Sequence, residues 1–285
     1  MQIEILKFIQ STTLPFLDVF FQIVTMTGEE SFYIIAAAII FWCVNKKFGY
    51  KLGFALLTGT IINTVLKDLV NASRPIGVYG IRSLRVETAT GQSFPSGHTQ
   101  GASIFWISWM IQLKRKWIYI VGTTVILLVA YSRMYLGVHY PIDVIGGIVI
   151  GTIWVLISNY IFEYAESTKK TWILMIMVVP MLIGMIFLRE KTYYTISGTV
   201  LGFYIGYVLE SKYVQFDVRN TAVKQLMKLV FGLTILMILK TTLKQILPIS
   251  IFSDFFRYFL IGLWITVGAP SVFKRFCGIT EEKLI

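Results

Sequence analysis

The sequence predicts an all-α, polytopic membrane bundle, with a six-helix core followed by about four additional C-terminal transmembrane helices. Three observations point there. First, a soluble domain carries about 25% charged and about 45–50% apolar residues, whereas this chain is 14% charged and 56% hydrophobic, with a mean hydropathy of +0.71. Second, a bilayer core takes about 20 apolar residues per spanning helix, and "WIYIVGTTVILLVAY", "DVIGGIVIGTIWVLISNYIF" and "WILMIMVVPMLIGMIFL" are runs of that kind. Third, lysines and arginines collect between these runs instead of forming one patch. The net charge of +11 therefore reads as membrane topology and not as nucleic-acid binding.

Taken in order, an interfacial piece covers roughly 3–10, and a first span near 14–27 is weak because it is short and holds Pro15 and Asp18. Glu29 and Glu30 open the next, 29–45, where acidic groups favour the helix dipole. A span at 49–71 leads to the polar connection "NASRPIGVYGIRSLRVETATGQSFPSG", whose Pro, Gly and Ser content forbids a continuous helix. Spans follow at 98–113, 117–136 and 140–163, then at 171–188, 193–210, 224–246 and 254–272. The expected division is 1–165 and 166–285, the second part packing against the first or supporting a homodimer. No removable signal peptide is legible, so the first spans serve for targeting. Cys43 and Cys277 match no metal or redox spacing, and no disulfide is expected.

Orientation follows from the basic residues. One set of alternate helix ends holds sixteen of the 26: Lys7, the groups at 46–51, 114–116, 169–170 and 212–228, and Lys274, Arg275 and Lys283. That side is expected to be cytoplasmic, which puts the polar connection and both histidines outside a cell membrane. Three separated stretches then reach one rim, namely "KDLVNASRP", "PSGHTQG" and "SRMYLGVHYPID". They carry Lys67, Arg74, Ser96, Gly97, His98, Arg133, His139 and Asp143.

Chemically these groups suit a phosphate. The three cations supply charge, and an arginine holds two phosphate oxygens at once. Gly97 lets the backbone approach an anion at a helix start, and Ser96 is an N-cap whose hydroxyl can donate to it instead. His139 and Asp143 stand at i and i+4, so the carboxylate can orient the imidazole and leave its other nitrogen as a lone pair. Pro141 fits the first turn of that helix. His98 is left to move protons at the leaving oxygen and at water. Arg82 and Arg85 read as solvated loop charges or lipid-phosphate anchors, with steering of anionic headgroups toward the pocket as the alternative. Tyr79, Tyr131, Tyr135 and Tyr140 read as an interfacial belt, and the glycines at 146, 147 and 151 as helix-packing contacts.

The pattern Lys67-x6-Arg74-Pro75, then Pro95-Ser96-Gly97-His98, then Ser132-Arg133-x5-His139-x3-Asp143 resembles the type 2 phosphatidic acid phosphatase superfamily. The resemblance covers roughly 14–165 and leaves the four later helices outside. It implies a phosphohistidine on His139 supported by Asp143, with His98 as acid. Lys67, Arg74, Ser96, Gly97, His98 and Arg133 would bind phosphate, with no cofactor and no required divalent metal. "TMTGEESFYII" together with "PSGHTQG" also resembles a bacterial branch related to sphingosine-phosphate phosphatases. The expected activity is hydrolysis of a lipid phosphate or pyrophosphate. Phosphotransfer to another acceptor through the same intermediate, and non-enzymatic lipid translocation, are the alternatives, and the lipid itself is left open.

Overall fold

The structure is a computed structural model describing residues 1–277; Lys283 and the side chain of Cys277 lie outside the described residues. No strand occurs among them. The helices are α1 (Gln2–Gln10), α2 (Pro15–Met26), α3 (Glu30–Ile39), α4 (Lys46–Val70), α5 (Gly97–Leu113) and α6 (Lys116–Tyr135). They continue as α7 (Pro141–Ser167), α8 (Met175–Gly184), α9 (Lys191–Leu209), α10 (Ala222–Ile246), α11 (Ile251–Leu263) and α12 (Ala269–Cys277). Proline opens α2 and α7, where a missing N–H costs nothing, and Asp18 and Asp143 stand in the respective first turns. Asn71, in the left-handed region, stops α4.

Each expected apolar segment is helical, but the helices differ in reach. By length and composition α4, α6, α7, α10 and the run Ile251–Phe276 can each cross a bilayer, making this a multi-pass membrane protein. Before α4 a weak first span, short enough to be only half-inserted, and a full second one were expected. In the structure α2 and the run Glu30–Val44 form a pair bent by 50°, which by length and composition supplies one more crossing at most. The reason is length: the 12 residues of α2 rise only about 18 Å, against a hydrocarbon core of about 30 Å. The apolar stretch Thr171–Gly184 is short for the same reason.

The described residues sort into two compact units. The first takes Met1–Ile35 and Ile62–Ser158. Its core includes Phe21, Tyr135, Leu136 and Val138, with Leu17 and Leu84 against them, and a second cluster of Ala102, Met110, Ile126 and Val129. Here α5 lies close on α7, because Gly147 carries no side chain: a Cβ there would stand 2.8 Å from the Ser96 carbonyl oxygen. The second unit takes Ala36–Ile61 and the described residues from Asn159 onward. In it Gly198 and Gly202 of α9 let the backbone of α11 approach at Phe255 and Phe259.

Within the first unit α1 lies against the polar connection. Gln10 Nε2 donates to the carbonyls of Arg82 (2.7 Å) and Tyr135 (2.8 Å), and the Arg82 N–H donates to Gln10 Oε1 at 3.0 Å. Lys7 accordingly sits beside Gly80. It belongs with the polar connection and not with the basic helix ends to which the charge pattern assigned it.

Candidate active site

The polar connection is pinned to both of its flanks by backbone groups. The Ser93 N–H donates to the Ala72 carbonyl (2.8 Å) and the Ser96 N–H to the Asp143 carbonyl (3.0 Å). The three motif stretches are therefore laced together before any side chain is considered. The Phe94–Pro95 peptide between them is cis. Asn63, one helical turn before Lys67 on α4, donates to the Pro95 carbonyl (3.2 Å) and to Gln100 Oε1 (2.8 Å), holding the turn that starts α5.

Asp143 closes the start of α7 on itself. Its Oδ2 accepts the Tyr140 N–H at 2.8 Å, the reciprocal half of a capping box. The same oxygen accepts from Ser93 Oγ at 2.5 Å and faces His139 Nδ1 at 3.3 Å. The other ring nitrogen, Nε2, lies 3.0 Å from Arg74 Nη1. A guanidinium has no acceptor, so this contact requires the lone pair on Nε2 and the proton on Nδ1, toward the carboxylate. His139 is only 1% exposed. Burial first, and then the charges of Arg74, Arg133 and Lys67, hold its imidazole well below the ordinary histidine value of 6.5. It is neutral at neutral pH.

The cations are held mainly by main-chain oxygens. Lys67 Nζ donates to the carbonyls of Thr90 (3.2 Å) and Gln92 (2.8 Å). Arg74 reaches those of Thr90, Gly91, Gln92 and Val138 at 2.7–3.1 Å. Arg133, completely buried, is different. Its Nη1 donates to Thr25 Oγ1 at 2.9 Å and lies 3.5 Å from Thr88 Oγ1, while Nε and Nη2 are buried without a partner. Those two N–H groups form the side-on fork that fits two oxygens of one anion.

Ser96 occupies the N-cap of α5, but its hydroxyl lies 3.1 Å from Thr99 Oγ1 and caps no backbone N–H. Gly97 and His98 form the first turn behind it. His98 Nε2 is buried and unpartnered, and Lys67, Arg74, Arg133 and His139 all lie within electrostatic reach of the ring. All eight residues named from the sequence thus fall in the first unit. Among the described residues no three His, Cys, Asp or Glu side chains converge as a metal-ligand set.

Several expectations about neighbouring residues change. Arg82 is no free loop charge: it makes a two-pronged pair with Asp18 (2.6 and 2.7 Å), which Tyr135 also reaches at 2.7 Å. Tyr135, expected at the interface, is 1% exposed. Arg85 pairs with Glu29 at 2.5 Å. Gly137, at φ +64°, stands so close to the Arg82 carbonyl that a Cβ would lie 2.2 Å from it. Ser93, Thr25, Thr88 and Asn63 were not anticipated as part of the site.

A model of the PAP2 superfamily matches residues 48–167, and one of the PAP2 superfamily phosphatase transmembrane extension matches residues 194–282. The second match corrects the expectation that the later helices lie outside the family. The chain is 27% identical over 169 residues to an undecaprenyl-diphosphatase of Sulfolobus acidocaldarius, covering 59% of this chain and 81% of that protein. It is 31% identical over 172 residues to phosphatidylglycerophosphatase B of Bacillus subtilis, covering 55% of this chain and 79% of that protein. With these matches running through the folded motif cluster and a separate one through the later helices, the chain belongs to the PAP2 superfamily and carries its transmembrane extension.

Proposed function

We propose that the protein is an integral membrane phosphatase hydrolysing a lipid phosphate or diphosphate through a phosphohistidine on His139. The observation that carries this reading is the setting of that one ring: Nδ1 toward the Asp143 carboxylate, Nε2 carrying its lone pair among cations. The names of the similar proteins, a diphosphatase and a phosphatidylglycerophosphatase, support the substrate class.

In the first step the phosphate takes the Arg133 fork together with Lys67, Arg74 and the Ser96–Gly97 turn. The Nε2 lone pair forms a bond to phosphorus as the bond to the lipid oxygen breaks, and His98 gives that oxygen its proton. Burial and the surrounding cations disfavour a protonated His98 in the empty site, so it takes up that proton as the anionic phosphate binds and offsets their charge. Asp143 stabilises the positive charge that develops on the ring while Nδ1 keeps its hydrogen. In the second step His98 takes a proton from water, the resulting hydroxide attacks phosphorus, and the P–N bond breaks to return neutral His139 and phosphate. The cluster lies at the outer face of the cell membrane, a reading supported by the excess of basic residues at the opposite helix ends.

The test is phosphate release from a panel of phosphorylated and diphosphorylated lipids, with and without a chelator. Wild-type enzyme is expected to hydrolyse at least one lipid in both conditions. His139→Ala should lose at least about three orders of magnitude in kcat. Clear turnover by His139→Ala overturns the assignment.

A further inference from the structure

The corner between α2 and α3 contains the segment "TMTGEE", which none of the steps above uses. It touches the site at two points. Thr25, with no exposed surface, accepts a hydrogen bond from Arg133 Nη1 at 2.9 Å, across 108 residues of sequence. Gly28 packs so closely that a Cβ there would stand 3.2 Å from His98 Cβ and 3.0 Å from Val129 Cγ1. The corner is itself tied down, since Glu29 accepts from Arg85 Nη2 at 2.5 Å. The turn that follows Arg85 brings Thr88, whose hydroxyl donates to the Arg85 carbonyl at 2.9 Å, to within 3.5 Å of the same Arg133 amino group.

The consequence lies in which donors of Arg133 are engaged. A guanidinium can turn about its last bonds and present any edge to an anion. Here Nη1 is occupied, and the edge left over is Nε with Nη2, both buried and both without a partner. That is the edge whose two N–H bonds run parallel and match two oxygens of a tetrahedral phosphate. We propose that Thr25 is a positioning residue for the phosphate site, tethering one amino group of Arg133 so that the opposite edge faces the substrate. This rests on the phosphatase reading above and adds a residue outside the three motifs.

Thr25→Val keeps the branched shape and removes the acceptor, whereas Thr25→Ser keeps the acceptor. The experiment measures kcat and KM with a phosphorylated lipid that the wild type hydrolyses, and Ki for inorganic phosphate, in both variants. It repeats the valine change in an Arg133→Lys background, because lysine has no fork to orient. Loss of a hydrogen bond to a charged group predicts a rise of about tenfold in KM and Ki for Thr25→Val, with Thr25→Ser within about twofold of wild type. In the Arg133→Lys background the valine change should add nothing. Unchanged Ki in Thr25→Val, equal damage from valine and serine, or an undiminished valine effect in the Arg133→Lys background would each overturn the inference. Should the valine chain fail to accumulate in membranes, Thr25→Ala carries the same readings. An active His139→Ala enzyme would instead sink the phosphatase reading. An inactive one beside an unaffected Thr25→Val enzyme removes the role of Thr25 alone.

Discussion

Both compact units bury basic side chains, and they treat them in different ways. In the second unit Glu210, fully buried, accepts from Lys46 (2.9 Å), the Tyr50 hydroxyl (2.9 Å) and the Phe216 N–H (3.0 Å). Lys51, 5% exposed, has Glu163 at 2.6 Å. These two lysines each meet a carboxylate of their own, and their charge is closed off. In the first unit Lys67, Arg74 and Arg133 gather about His139, whose carboxylate partner Asp143 is turned toward His139, Ser93 and the Tyr140 N–H, while Glu29 and Glu87 lie within electrostatic reach of Arg133. Arg133 keeps two donors without a partner. Charge within a membrane protein is expensive unless it is paired or used. The paired lysines support the fold, whereas on the phosphatase reading proposed above the unpartnered edge of Arg133 is kept for an anion that comes from outside.

The contrast makes three further expectations, in descending size. Asp143→Asn removes the charge that orients and stabilises the His139 ring. It should lower kcat by about 10³-fold or more while leaving the thermal unfolding midpoint close to wild type. A near-normal rate would remove Asp143 from the mechanism. Glu210→Gln should do the reverse. It strands the partly exposed Lys46, whose side chain is 30% exposed, so solvent screening limits the loss to about 1–3 kcal/mol of stability. KM should stay unchanged, and a variant of normal stability with impaired substrate affinity would break the comparison. The smallest effect concerns pH. His139 is held below its ordinary value by burial and by Arg74, Arg133 and Lys67, so its active neutral form persists into mildly acidic solution. The acid limb of kcat/KM should lie below pH 6.5, and Lys67→Gln, which removes one depressing charge, should move it upward. A limb that stays put or moves down in that variant would show that another group controls it.

Much of the candidate site was legible because its residues obey local spacing. His139 and Asp143 are one helical turn apart, and Ser96, Gly97 and His98 mark the start of a helix. Asn63 was legible by the same rule, one turn before Lys67, but a neutral amide in an apolar helix carries no charge to draw attention. Thr25 and Thr88 were not readable at all. Their contacts with Arg133 span 108 and 45 residues, and a threonine among apolar neighbours has no pattern that tells a packing residue from a tether. The fold shows the same division. Helix positions follow from apolar run length, whereas the 50° bend between α2 and Glu30–Val44, and the close packing of Gly28 on His98 and Val129 at that corner, are tertiary features that no local spacing encodes. The pairing of Arg82 with Asp18 likewise needed the third dimension, although a carboxylate in a short apolar helix was itself the signal that a partner existed.

The 3.0 Å contact between Arg74 Nη1 and His139 Nε2 has a consequence for the resting enzyme. In the proposed mechanism the electron pair that attacks phosphorus is engaged by a hydrogen before substrate arrives. An arriving phosphate offers the guanidinium a better acceptor in its own anionic oxygen. On that mechanism, a substrate that accepts the hydrogen unlatches the nitrogen that attacks it, which would couple arming to recognition of the correct charge.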